Sequence, residues 1–147
     1  MAGCFALGTG RQESEMSIRK MISLHPDVVA SGHLNQPLGD AAHHLMYCAR
    51  MCLSCADACS AEEMDMTQCI RTCLDCADVC EATGKLAVRR AGSNETVLKE
   101  MLELCARVCD ACAAECDKHD HEHCKLCAQM CRECADDCRK AAASITE

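Results

Sequence analysis

Four stretches of the chain share one arrangement of small apolar and polar positions. In residues 48–59, 69–80, 105–116 and 127–138, cysteines recur at intervals of four, three and four residues, and most positions between them are polar, charged or alanine. Each residue of an α-helix turns by about 100°, so these intervals place the four sulfurs of a unit in one narrow stripe along the helix. The pattern therefore predicts four amphipathic helices whose inward face is cysteine.

The sequence ahead of the repeats predicts shorter elements. Residues 1–13 contain three glycines and no periodicity, which is typical of a mobile tail, and Cys4 within them is interpreted as an incidental thiol. Apolar positions in residues 14–24 predict a short amphipathic helix that Pro26 stops, and residues 27–34 are expected to add another turn or two. These pieces are expected to lie across the main helices or to form a subunit contact.

The links between the cysteine units predict where the long helices begin and end. The first is expected over residues 37–61, because a proline at its start suits the first turn of a helix. The second is expected to run to about position 91 with Gly92 as its C-cap, and either Ser93 or Asn94 is expected to cap the third. Short links make consecutive helices antiparallel neighbours. We therefore predict an all-α fold, an up-down-up-down antiparallel four-helix bundle with a cysteine-lined core and a short extra N-terminal helix.

The two ends of this bundle differ in chemistry. Residues 14–147 are assigned to one domain, in which the turn after the first cysteine unit and the turn after the third share an end. Donor side chains at that end, which we call the mouth, are Glu63, Met66, His119, His121 or His123, and Cys124. Aliphatic side chains at the opposite end, which we call the plug, are Leu86, Val88, Val97, Leu98 and Leu102. The bundle is predicted to be open to metal at the mouth and closed at the plug.

Composition makes the predicted core unusual. Cysteine accounts for 18 of the 147 residues, and the chain has no tryptophan, one tyrosine and one phenylalanine. Bundle cores normally take their volume from larger aliphatic and aromatic side chains, so thiols alone leave space at the centre. The N-terminus shows no secretory signal, and cysteines three or four apart on one helix are poorly oriented for a disulfide. We therefore predict a cytoplasmic protein with reduced thiols and another occupant in its core.

Charge and motif content exclude several classes of function. The formal net charge of −8 and the pI near 5.3 argue against a nucleic-acid partner, which would favour a basic surface. The sequence has no run of about 18 apolar residues, so no membrane span is predicted. It also lacks a recognisable catalytic triad, phosphate-binding loop or carboxylate pair, so no enzymatic activity is predicted.

Thiolate chemistry limits the occupant of the core to soft metals. Thiolates bind Cu(I), zinc and iron–sulfur clusters. Zinc or a cubane cluster with four cysteines carries a charge of about −2, and stacked sites of that charge repel one another in a dry core. One Cu(I) for each thiolate leaves a nearly neutral column, so the spacing favours many Cu(I) ions. An iron–sulfur electron carrier and a zinc or redox buffer of the metallothionein kind remain alternatives.

The fourfold C-x3-C-x2-C-x3-C pattern, over residues 38–143, resembles the bacterial cytosolic copper storage proteins, a cysteine-rich family of four-helix bundles. The resemblance implies a homotetramer in which each bundle core holds many Cu(I) ions, about one for each cysteine. It implies that the ligands are Cys48, Cys52, Cys55, Cys59, Cys69, Cys73, Cys76, Cys80, Cys105, Cys109, Cys112, Cys116, Cys124, Cys127, Cys131, Cys134 and Cys138.

Copper is expected to reach these thiols through the mouth. Met66 and His119 are the candidate donors there, and a copper chaperone or a small-molecule chelator is expected to hand over Cu(I). The ion would then displace thiol protons and move inward by exchange between neighbouring sulfurs. A polar turn that merely happens to contain these donors is the alternative interpretation, and the sequence leaves it open.

Overall fold

A computed structural model describes residues 16–146, and every regular element in that range is an α-helix. The helices are α1 (Ile18–Ser23), α2 (Pro26–Ser31), α3 (Gln36–Ser60), α4 (Thr67–Ala87), α5 (Glu95–Cys116) and α6 (Glu122–Ser144). None of these helices is both long enough and apolar enough to cross a membrane. The predicted all-α class is confirmed, whereas the tail predicted over residues 1–13, with Cys4, lies outside the described residues.

Helices α3 to α6 form the predicted bundle. Helix α3 packs against α4 and α6, and α5 packs against the same two helices, so the four helices follow one another around a square. The connections 61–66, 88–94 and 117–121 are short, and each one therefore reverses the direction of the chain. This arrangement confirms the up-down-up-down antiparallel bundle. Helix α1 packs against α3 and is the extra N-terminal helix.

The N-terminal segment forms two short helices. Ser17 Oγ accepts a hydrogen bond of 3.1 Å from the backbone N–H of Lys20, which caps α1 at Ile18. Pro26 occupies the first turn of α2, where backbone N–H groups have no partner within the helix, so the missing N–H of proline costs no hydrogen bond. The predicted short helix and the turn or two after it are therefore both present, and only the role of the proline differs, because α1 already ends at Ser23 and Pro26 begins the next helix.

The start of α3 is tied to the end of α6. Asn35 Oδ1 accepts a hydrogen bond of 3.0 Å from the N–H of Leu38, and Asn35 Nδ2 donates one of 3.0 Å to Ser144 Oγ. Pro37 lies in the first turn of α3, as predicted. A single side chain thus caps one bundle helix and holds it against the last turn of its neighbour.

Helix α4 ends at Ala87, short of the predicted end near position 91. Arg90 Nη1 donates a hydrogen bond of 2.5 Å to the carbonyl of Ala87, so its guanidinium satisfies a backbone acceptor that the helix end leaves unpaired. Gly92 does not cap α4 but lies in the connection that follows, where its φ of 72° is left-handed. Asn94 is the N-cap of α5, which was one of the two predicted caps.

Small side chains line the contacts between the bundle helices. The buried alanines that follow cysteines of the repeats are Ala49, Ala56, Ala77, Ala106, Ala113, Ala128 and Ala135. A methyl side chain at a helix contact lets two backbones approach closely. The alanines therefore bring the four helices together, and the cysteines beside them project into the space at the axis.

Aliphatic side chains close the plug. The buried leucines there are Leu38, Leu45, Leu98 and Leu102. Leu86 and Val88 are partly buried and pack against the core, which agrees with their predicted place in the plug. Val97 is wrongly predicted for the plug, since it is 54% exposed. It directly precedes a buried leucine, and one helical step turns a side chain by about 100°, away from the core.

Candidate metal centre

A column of thiols fills the axis of the bundle. The 17 cysteines within residues 16–146 are unbridged, and each is at most 3% exposed. They come from all four bundle helices, because each repeat places its sulfurs on one face of its helix. The prediction that these cysteines face inward is confirmed.

The sulfurs nearest the mouth belong to both of its turns. Cys59 Sγ lies 3.7 Å from Cys69 Sγ and 4.0 Å from Cys124 Sγ. Cys69 Sγ in turn lies 3.9 Å from Cys116 Sγ. Because Cys59 and Cys69 flank one turn while Cys116 and Cys124 flank the other, the two turns share one end of the bundle, as predicted.

The middle of the column continues at the same spacing. Cys73 Sγ lies 3.7 Å from Cys116 Sγ and 3.8 Å from Cys112 Sγ. Cys52 Sγ lies 3.6 Å from Cys131 Sγ. A disulfide bond is about 2.05 Å long, so these sulfurs are not bonded to one another. Two sulfurs on one metal ion, each at roughly 2.3 Å, can be as much as about 4.6 Å apart, so a metal ion fits between such neighbours.

The column reaches the layer directly below the plug. Cys80 Sγ lies 3.6 Å from both Cys105 Sγ and Cys109 Sγ, and Cys76 Sγ lies 3.8 Å from Cys109 Sγ. Donor atoms are therefore available along the whole stretch from the mouth to the leucines of the plug.

Groups of four donors recur along the column and overlap. The donor atoms within each group lie within 4.8 Å of one another, and the groups include Cys48/Cys52/Cys76/Cys131, Cys48/Cys76/Cys80/Cys109, Cys52/Cys112/Cys127/Cys131 and Cys55/Cys73/Cys116/Cys127. Neighbouring groups share cysteines, as Cys48 and Cys76 do in the first two. A soft metal ion can therefore pass from one group to the next by exchanging one sulfur at a time.

Burial keeps two of the thiols near the mouth protonated. It raises the pKa of Cys59 above its ordinary value and raises the pKa of Cys124 to about 12. At neutral pH both side chains therefore carry their protons. A metal ion that binds them as thiolates must displace those protons, so binding couples to proton release.

His123 brings a nitrogen donor to the mouth end of the column. Its Nδ1 lies 3.4 Å from Cys55 Sγ and 3.6 Å from Cys124 Sγ, and the three residues form a group of donors with Cys59. Hydrogen bonding to Cys116 and, with a smaller effect, to His123 lowers the pKa of Cys55 to about 6. The contact with Cys55 and a hydrogen bond to a carboxylate raise the pKa of His123. The mouth thus pairs a thiol that ionises near neutral pH with an imidazole.

Glu62 contacts the side of His123 that faces away from the thiols. Its Oε1 lies 2.9 Å from Nε2 of His123 and 3.4 Å from Nδ1 of His121. The two imidazole rings stack with their centroids 5.4 Å apart and their planes within 4° of parallel. The sequence alone does not single out Glu62, because a residue in a connection carries no periodic signal.

Met66 and His119 occupy different surroundings at the mouth. Met66 is the N-cap residue of α4 and is 3% exposed in the core. His119 Nε2 lies 3.8 Å from Glu115 Oε1, so its described side-chain contact is with a carboxylate. Their role as metal donors stays a prediction.

The structure places His123, rather than His119, against the thiols. From the sequence, His123 is predicted only as one of several donors at the mouth. A more specific signal was available, because His123 lies four residues ahead of Cys127 and so extends the stripe by one helical turn.

The profile of the copper storage protein family matches residues 34–143. The chain is also similar to a solved structure of the copper storage protein Ccsp from Streptomyces lividans, loaded with 10 copper equivalents. That likeness covers 87% of this chain and 99% of that one, at 37% identity and a TM-score of 0.81. A second structure, described as a cytosolic copper storage protein from the same organism with five coppers, is 42% identical, covers 74% of this chain and 93% of that one, and has a TM-score of 0.71.

A third relative is the uncharacterized cysteine-rich protein YhjQ of Bacillus subtilis, which is 41% identical over 82 residues. The matched stretch is 56% of this chain and spans only 53% of that relative. The family profile, in contrast, takes in all four cysteine repeats and all four bundle helices. The chain therefore belongs to the copper storage protein family.

Proposed function

We propose that this protein stores Cu(I) in the cytosol, bound by the cysteine thiolates at the centre of its four-helix bundle. The observation that carries the proposal is the column of 17 buried, unbridged thiols, in which neighbouring sulfurs lie between 3.6 Å and 4.0 Å apart. A catalyst needs a reactive centre that a substrate can reach. This column instead offers many similar donors shielded from solvent, which suits storage better than catalysis.

The overlap of the donor groups favours Cu(I) over zinc or iron–sulfur clusters. Because Cys48, Cys76 and Cys131 each belong to more than one group, independent four-thiolate sites would compete for the same sulfurs. Each such site would also add a charge of about −2 to a dry core. Cu(I) is a soft monovalent ion that accepts few ligands, so neighbouring ions can share sulfurs and leave the column nearly neutral. The copper-loaded relatives support several copper ions for each chain.

The 17 cysteines of the column are the ligands in this proposal, and the mouth is the end at which copper is taken up. His123 lies at that end within 3.4 Å of a thiol, and it joins Met66 and His119 as a candidate donor there. A copper chaperone or a small-molecule chelator supplies the ion, because free Cu(I) would bind soft ligands elsewhere first. The thiols then release protons as copper moves inward.

The protein is further proposed to act as a homotetramer. Large apolar side chains remain exposed on the outer faces of three bundle helices, with Leu53 41%, Leu74 42% and Leu126 56% exposed. Contact with other copies would remove such surface from water. Light scattering on the reduced protein tests this state, and a mass equal to one chain would contradict it.

The storage proposal is tested by titrating the reduced protein with Cu(I) under anaerobic conditions, in the presence of a coloured Cu(I) chelator. We expect the chelator to stay uncoloured until roughly one ion has been taken up for each core cysteine. Colour that develops after only a few ions would overturn the storage function. Visible absorption of the purified protein would then favour an iron–sulfur carrier, and many tetrahedral thiolate sites upon cobalt substitution would favour a zinc buffer.

A further inference from the structure

The carboxylate of Glu62 contacts both of the stacked histidines of the mouth. One oxygen, Oε1, contacts Nε2 of His123 at 2.9 Å and Nδ1 of His121 at 3.4 Å. The side chains of all three residues are about 30% exposed or less, so both contacts are partly shielded from water. Glu62 belongs to the connection between α3 and α4, whereas both histidines lie at the start of α6. The contact therefore joins the two turns of the mouth.

The direction of the hydrogen bond determines which nitrogen of His123 can bind a metal. An ionised carboxylate can only accept hydrogen bonds, so Nε2 of His123 must carry the proton in its contact with Glu62. In the neutral imidazole the lone pair then belongs to Nδ1. Nδ1 is the nitrogen that faces the thiols, 3.4 Å from Cys55 Sγ and 3.6 Å from Cys124 Sγ.

Stacking against His121 and the hydrogen bond to Glu62 both restrict the ring of His123. The ring of His121 lies parallel to that of His123 within 4°, with a centroid distance of 5.4 Å. Rotation of the His123 ring out of this plane would lose both the stacking contact and the hydrogen bond to Glu62. The carboxylate holds both rings through the same oxygen, so it orients the pair as a unit.

We propose that Glu62 is a positioning residue for copper uptake. It holds the proton of His123 on Nε2 and turns the lone pair of Nδ1 toward the sulfurs of Cys55 and Cys124, so that an arriving Cu(I) ion meets a nitrogen and sulfur site already in place. A carboxylate that fixes the tautomer of a metal-binding histidine in this way raises the affinity of the site. The copper part of this inference rests on the proposed storage function, whereas the tautomer part does not.

The first test examines the ring itself, without metal. Nitrogen-15 NMR of the histidine side chains is recorded on the reduced, copper-free full chain for the wild type, Glu62→Gln and Glu122→Gln, at a pH above the raised pKa of His123 so that its imidazole is neutral. Glu122 is the matched control, because it precedes His123 directly, its side chain is 90% exposed and paired with Lys125, and its substitution changes the charge equally. We expect the Nε2–H tautomer of His123 in the wild type and in Glu122→Gln. Glu62→Gln should give mixed tautomers, since an amide can donate or accept.

The second test measures uptake of the first Cu(I) equivalent from a chelator of known affinity. We expect Glu62→Gln to bind this first ion at least about 10-fold more weakly than the wild type, with total capacity unchanged. Glu122→Gln should match the wild type in both respects.

The two tests separate failure of this inference from failure of the storage function. An unchanged tautomer in Glu62→Gln, or equal loss of uptake in both variants, would overturn the positioning role. A wild-type protein that takes up only a few ions would instead overturn storage, while the tautomer result would still stand on its own.

Discussion

Cys52 on α3 and Cys131 on α6 place their sulfurs 3.6 Å apart on the axis of the bundle. Cys131 Sγ also lies 3.8 Å from Cys48 Sγ, so one sulfur of α6 touches two successive sulfurs of α3. In the proposed store, a metal ion bound here would share its ligands with the ions above and below it. The capacity is then expected to depend on the number of thiols rather than on separate sites.

Removal of one shared thiol should lower the copper capacity by a small, countable amount. We expect Cys131→Ser to bind about one Cu(I) ion fewer than the wild type, because a hydroxyl is a poor ligand for a soft ion. Cys4→Ser is the control and should leave capacity unchanged, since Cys4 lies outside the repeats. Anaerobic titration against a chelator measures both. An unchanged capacity in Cys131→Ser would show that the column is not the store.

The thiol at the mouth should react with alkylating agents at lower pH than its neighbours. The pKa of Cys55 is lowered to about 6, so its reactive thiolate forms as the pH rises through about 6 and is fully present above that. The pKa of Cys124 is raised to about 12, so this thiol should remain protonated across the same range. Peptide mapping by mass spectrometry after brief alkylation of the copper-free protein at several pH values gives the rates.

The rate at Cys55 should level off above neutral pH. A rate that keeps rising through pH values near the ordinary cysteine pKa of about 8.5 would contradict the lowered value. The variant Cys55→Ser is the control, and it should lack the rapid reaction altogether.

The plug should contribute to stability and not to copper binding. Leu45 is fully buried there, and Leu45→Ala should lower the free energy of unfolding by about 2–5 kcal/mol, through lost burial and the cavity left behind. Leu104 on α5 is 38% exposed, so Leu104→Ala should change the free energy of unfolding by no more than about 0.5 kcal/mol. Urea denaturation of the reduced, copper-free protein measures both. A lower copper capacity in Leu45→Ala would show that the plug also shapes the store.

A glycine in the last turn of α4 leaves stability that alanine can recover. A Cβ added at Gly84 would lie 3.5 Å from Leu45 Cβ, which is an ordinary van der Waals contact. Gly84→Ala should therefore raise the free energy of unfolding by about 0.5–1 kcal/mol, because alanine loses less backbone entropy in a helix. Gly92→Ala is the opposite case, and its left-handed φ of 72° should cost about 1 kcal/mol. Thermal denaturation distinguishes the two, and a destabilised Gly84→Ala would contradict the contact geometry.

Local features of the chain explain why much of the structure could be predicted. The cysteine spacing defines one face of each helix, and Pro37 and Asn94 mark two helix starts through their own backbone preferences. Helix ends were harder to predict. The guanidinium of Arg90 donates a hydrogen bond to the carbonyl of Ala87, where α4 ends. A long side chain that folds back on a helix end in this way produces no periodic signal in the sequence.

The sequence by itself determined the four helices, their antiparallel order and the inward direction of the thiols. The helical period and the short connections are local properties of the chain. Only the tertiary structure decided which sulfurs of different helices are shared, and which histidine of the mouth meets them. Glu62 and His123 are 61 residues apart in the chain and form a hydrogen bond of 2.9 Å. Such a contact depends on how two separate turns pack together, and no periodic pattern in either turn encodes that distance.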